Sequence, residues 1–114
     1  MPASDPLPSI RDLLTASANA VVGTRQSVAD LLAIGDYIRN HNPDAGAAVE
    51  AAIRATIGLL ADFPNIGHER PELDARALGI PHYPYTVYYR IEGDAIWIVH
   101  IRDDRRRPPG PSDL

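Results

Sequence analysis

Two runs dense in β-branched and aromatic residues, 85–91 and 95–102, flank Glu92-Gly93-Asp94. Such runs around a short Gly-containing loop predict a β-hairpin. Side chains alternate across a strand. Tyr85, Val87, Tyr89 and Ile91 therefore share one face, with Thr86, Tyr88 and Arg90 on the other. On the second strand the alternation groups Ala95, Trp97, Val99 and Ile101 against Ile96, Ile98, His100 and Arg102. This strand is apolar on both sides until His100, and a strand of that kind needs cover on both. The chain's own helices can supply one cover. A partner is the expected source of the other.

The stretch before the hairpin changes period. Val28, Leu31, Leu32, Gly35 and Ile38 recur at helical spacing. Ser27 and Asp30 form an S-x-x-D start signal, so a helix is expected from Ser27 to about His41. Gly35 weakens that helix by about 1 kcal/mol relative to alanine, and a residue without a Cβ allows close approach of a neighbour. Asn42-Pro43-Asp44 opens a second helix, with an N-cap, a proline at the first position and an acid in the first turn. Its apolar stripe is Val49, Ile53, Ile57 and Leu60, beside Ala45, Ala48 and Ala52. These small residues suggest a close antiparallel helix pair. Phe63-Pro64 is expected to end it.

Residues 19–23 form a candidate strand, and 68–74 read as a charged connector. Residues 75–80 predict another strand, turned into the hairpin by Pro81-His82-Tyr83-Pro84. The expected fold is α+β, in the order β-α-α-β-β-β. An N-terminal strand and an antiparallel two-helix hairpin precede a three-stranded antiparallel sheet, with both helices on one sheet face. Residues 1–18 read as a partly disordered extension, 19–102 as the folded domain, and 103–114 as a mobile tail rich in arginine and proline.

Composition narrows the chemistry. At 114 residues the chain is one domain long, enough for a core without disulfides or metal. It has no cysteine, and every basic residue other than histidine is arginine. Disulfides, thiol catalysis, Schiff-base chemistry and a P-loop lysine are excluded. The formal net charge is -4 and the pI about 5.4, which argues against broad nucleic-acid binding by this chain alone. No apolar run approaches the roughly 18 residues of a membrane span, and the first residues lack a signal-peptide pattern. A cytoplasmic protein is expected.

Few residues offer reactive chemistry. His41 falls at a helix end, where a cation is favoured, and His68 and His82 fall in turns. Their spacings match no metal motif, so no metal or other cofactor is expected. Adjacent Asp103 and Asp104 would point to opposite faces of a strand and make a poor catalytic pair. His100 is open to two readings, a titrating group or a polar residue closing a strand. Arg102, Arg105, Arg106 and Arg107 could hold phosphate or form a solvated tail.

Several segments in order carry a resemblance. They are Val21-Val22-Gly23-Thr24, Ser27 to Leu31, Ile34 to Ile38, His41 to Ala45, Leu60 to Gly67, Arg70-Pro71-Glu72-Leu73 and Tyr89-Arg90-Ile91. Together they resemble the RelE/ParE toxin superfamily of bacterial type II toxin–antitoxin systems, over roughly residues 19–102. Gly23 and Gly35 depart from it, standing where that family often has a large aromatic, and the N-terminal extension is atypical.

The resemblance implies one of two activities. RelE-like members cleave messenger RNA on the ribosome, with basic residues on the sheet and a C-terminal Tyr or His. ParE-like members poison DNA gyrase and need no active site. The nuclease position aligns with Thr86, and no tyrosine follows Arg102, so the resemblance is closer to the ParE-like branch. For the nuclease alternative the candidates are Arg76, His100, Arg102 and Arg105. A degenerate, non-toxic antitoxin-binding module is a third reading. The implied partner is a ParD-like antitoxin, in a hetero-oligomer, with gyrase as target. The residues expected to meet a partner are Arg76, Arg90, His100 and Arg102, with Tyr88 and Ile98 as apolar anchors.

Overall fold

A computed structural model describes residues 20–107 and 109–114. The expected extension at 1–18 lies outside the described residues. The chain runs β1 (Ala20–Gly23), α1 (Arg25–His41), α2 (Pro43–Leu59), β2 (His68–Arg70), a 3-10 turn (Pro71–Leu73), β3 (Ala75–Gly79), β4 (Tyr85–Glu92) and β5 (Ala95–Asp103), with a final 3-10 turn at Pro111–Asp113. The α+β class and the element order stand as the sequence predicts. The sheet is larger than three strands, with spatial order β1-β5-β4-β3-β2. β1 joins it parallel to β5, pairing Ala20 with Ala95 and Gly23 with Ile98. β2, within the expected connector, adds the opposite edge antiparallel to β3.

The first helix begins two residues before the expected Ser27. Its N-cap is Thr24, whose hydroxyl accepts from Ser27 N–H at 3.2 Å. The reason is tertiary. Thr24 N–H donates to the Ile98 carbonyl at 3.0 Å, and its hydroxyl donates to the Val99 carbonyl at 3.3 Å. The start of α1 is thus stitched to β5, and Asp30 has no part in the helix N-cap. The buried stripe is Ser27, Leu31 and Gly35, with Ile34 and Ile38 beside it, while Val28 and Leu32 remain about half exposed.

Asn42 ends α1 and starts α2. Its N–H donates to the Ile38 carbonyl at 2.7 Å, and its Oδ1 accepts from Ala45 N–H at 3.2 Å. α2 stops at Leu59, before the expected Phe63-Pro64. Asp62 N–H (3.2 Å) and Phe63 N–H (2.8 Å) both return to the Leu59 carbonyl, winding the chain into turns. The helices cross where both lack a Cβ. One built on Gly35 would lie 2.7 Å from the Glu50 carboxylate, and one on Gly46 would lie 2.3 Å from Arg39 Cγ. Arg39 bridges the crossing through its ion pair with Glu50.

Both helices pack on one sheet face. Leu31, Val49, Ile53 and Leu60 meet Tyr85, Val87, Tyr89, Ile96, Ile98 and Ile101 in the main core. The simple alternation expected for β5 fails here. Tyr88 pairs with His100 but Tyr89 pairs with Ile98, so Val99 is left unopposed in a β-bulge. A bulge shifts the side-chain phase. Ile98 and Ile101 both enter the main core, and Val99 turns to the far face with Tyr88. There Leu73 and the C-terminal Leu114 pack on Tyr88 and Val99. The cover expected from a partner is supplied at this end by the chain itself. Further along the same face, Val22 and Trp97 stay partly exposed.

Candidate functional site

Beyond Ile98, β5 continues without β1 beside it. An edge strand with free backbone groups must be capped or paired. Asp30 caps it from α1, accepting Ile101 N–H through Oδ2 at 3.0 Å. The same carboxylate is in ion-pair contact with His100 Nδ1, and both side chains are only 13% exposed. Among the described residues the buried Nδ1 has no hydrogen-bond partner.

Asp30 and His100 sit in a groove of about 590 Å³ between α1 and the free end of β5. Ala33, Ile34, Tyr37, Tyr85 and Ile101 supply its apolar surface, and Arg102, Arg105 and Arg106 its basic wall. Asp103 accepts from Arg105 Nε at 2.9 Å and Nη2 at 2.8 Å. These bonds hold the Asp103 carboxyl below, and the Arg105 guanidinium above, their ordinary ranges. Burial raises the Tyr85 phenol, with Asp103 adding to the shift. Arg102 Nη2 donates to the Arg107 carbonyl at 3.2 Å.

A second cleft of about 540 Å³ lies at the other side of the sheet, lined by Arg76, Arg90, Glu69 and Asp74. Its arginines brace the fold. Arg76 Nη1 donates to the carbonyls of Gly67 at 2.8 Å and Asn65 at 3.2 Å. Arg90 Nε donates to the Asp74 carbonyl at 2.7 Å, holding a turn in which Asp74 is left-handed at φ 51°.

The sequence-predicted residues therefore divide. His100, Arg102 and Arg105 come together in the first groove, and Arg76 and Arg90 in the second cleft. Tyr88 is covered by Leu73 and Leu114, and Ile98 is 2% exposed in the main core. As the chain stands, neither is a surface anchor. Sequence reasoning missed Asp30, Tyr37 and Tyr85 as groove residues. For Asp30 there was a faint signal, an acid set beside Leu31 and Ile34 on the sheet-facing side of the helix. Among the described residues, no His, Asp and Glu cluster could hold a metal ion, and no helix is long and apolar enough to cross a membrane.

A family model described as the ParE toxin of type II toxin–antitoxin systems, parDE, matches residues 21–108. Y4kP of Sinorhizobium fredii, a candidate toxin, is 38% identical over 61 residues, 54% of this chain and 64% of that protein. The chain thus spans just under two thirds of that relative. Toxin RelE2 of Caulobacter vibrioides is 30% identical over 86 residues, covering 75% of this chain and 96% of that one. A solved chain of the chromosomal ParDE toxin–antitoxin system from P. aeruginosa is similar at a TM-score of 0.68 and 26% identity, over 76% of this chain and 97% of its own.

Proposed function

Because the chain belongs to the ParE toxin family of type II toxin–antitoxin systems, within the RelE/ParE superfamily, we propose that it arrests growth by poisoning DNA gyrase and is neutralised by direct binding of a ParD-like antitoxin. The observation that carries this reading is Thr86. It stands at the sheet position where the resemblance to nuclease members calls for a basic residue, and its hydroxyl donates to Asp104 Oδ1 at 2.5 Å. A carboxylate beside that position would repel a phosphate rather than steady it. Arg76 adds support, since it is spent on the 65–67 loop in a different cleft from His100. The ParDE likeness supports an antitoxin as partner.

One observation favours the nuclease alternative. His100, Arg102 and Arg105 line a single groove, and RNA cleavage by 2′-hydroxyl attack needs a proton-transfer group and cations together.

A supercoiling assay with purified toxin, with and without its antitoxin, separates the two. Gyrase inhibition relieved by antitoxin is the expected result. Normal supercoiling by a toxin that still arrests growth would sink the gyrase reading and leave the ribosome as the target to test.

A further inference from the structure

We propose that the turn after α2 is the surface this chain sets against its target, an apolar knob that enters an apolar pocket with a basic rim. The proposal rests on the preceding reading in taking that target to be gyrase. Leu59, Phe63 and Ile66 are 45%, 57% and 47% exposed. Phe63 N–H returns to the Leu59 carbonyl at 2.8 Å, and Ile66 N–H to the Phe63 carbonyl at 3.2 Å. The turns thus keep helical spacing beyond the end of α2, and the three side chains share one side. Exposed apolar residues scattered singly need no explanation, but a cluster held in place marks an interaction site.

This cluster is held from beneath by two side chains. The Tyr89 hydroxyl takes the Pro64 carbonyl at 2.8 Å and Gly67 N–H at 2.9 Å. Arg76 takes the carbonyls of Asn65 at 3.2 Å and Gly67 at 2.8 Å. Gly67 permits the approach, since a Cβ there would lie 2.7 Å from the Tyr89 hydroxyl. With these groups turned inward, the turn offers a partner its side chains, and little ordering remains to be done on binding. Its rim is acidic. Residues 59–69 contain Asp62 and Glu69 and no arginine, and both acids are exposed. Glu69 approaches Arg76 only to 3.9 Å. Nucleic acid is a poor match for such a rim. An enzyme that holds DNA must present positive surface to its phosphates, and that surface complements the rim. The knob stands over Tyr89 and the second cleft, four residues along β4 from the Tyr85 end that lines the first groove.

The test compares the full-length parent with Phe63→Ser/Ile66→Ser and with Asp62→Lys/Glu69→Gln. The readouts are supercoiling by reconstituted gyrase, taken from a strain the toxin arrests, and growth of that strain. Both variants change exposed side chains and should melt as the parent does. Each should raise the half-inhibitory concentration, the serine variant by about tenfold or more, and the charge variant most at low salt. Leu32→Ser, which removes an exposed apolar side chain of α1, should inhibit as the parent does. A serine variant that inhibits like the parent overturns the proposal and leaves gyrase as the target. Loss of antitoxin binding in that variant, or of self-association in sedimentation, also overturns it, since the knob then has another occupant. Should the parent arrest growth without inhibiting supercoiling, the gyrase reading falls alone if the serine variant no longer arrests growth. Both fall if it still does.

Discussion

The Asp30 carboxylate, from the first helix, lies against His100 of the last strand while accepting the N–H of Ile101 at 3.0 Å. One side chain thus closes a bare strand edge and packs against the floor of the groove. Replacing it by Asp30→Leu leaves a buried N–H without an acceptor, which costs about 1–3 kcal/mol. Urea denaturation should show that loss. Asp30→Asn retains an acceptor and should recover part of it. A leucine variant as stable as the parent would show that the contact contributes nothing.

Tyr89 is fully buried. Its hydroxyl donates to the Pro64 carbonyl at 2.8 Å and accepts from Gly67 N–H at 2.9 Å. Tyr89→Phe strands both groups, and a loss of about 1–3 kcal/mol is expected. Gly67→Ala should also destabilise, because its Cβ would lie 2.7 Å from the Tyr89 hydroxyl. Both are read by thermal or denaturant melts.

The same residue sets an alkaline limit. Burial raises the Tyr89 phenol above its ordinary value of 10.0, and Tyr85 shifts the same way. The unfolded chain releases these protons first. Stability is therefore fully present below pH 10, and is lost as pH rises through the folded-state values. Denaturation followed from pH 8 upward should show a flat region and then a fall. In Tyr89→Phe the fall should be shallower, and an unchanged slope would refute the assignment.

Arg90 acts on the turn before β3 through its bond to the Asp74 carbonyl. Arg90→Gln should cost about 1 kcal/mol, the typical net worth of such a bond, and speed hydrogen exchange at residues 71–75. If Arg90 served only a partner, exchange there would match the parent.

Leu114 covers Leu73, Tyr88 and Val99 on the far face of the sheet. Leu114→Asp should destabilise by about 1 kcal/mol through lost burial and increase binding of a hydrophobic dye. Leu114→Met should do neither.

Local signals decided much of this molecule. The 3.6-residue stripe, the Asn42-Pro43 helix junction and the alternation of β4 are effects between near neighbours, so the sequence alone determined two paired helices followed by a hairpin. The ordered segments also carried the family resemblance. Contacts far apart along the chain were a different matter. Thr24 became a helix cap because Ile98 and Val99 lie beside it in space. Asp30 became an edge cap 71 residues from Ile101. The bulge at Val99 broke the alternation of β5, so that Ile101 joins Ile96 and Ile98 in the main core while Val99 stays on the far face. Such pairings depend on the register of strands and helices distant in sequence. No local pattern encodes that register, so only the tertiary structure could decide it.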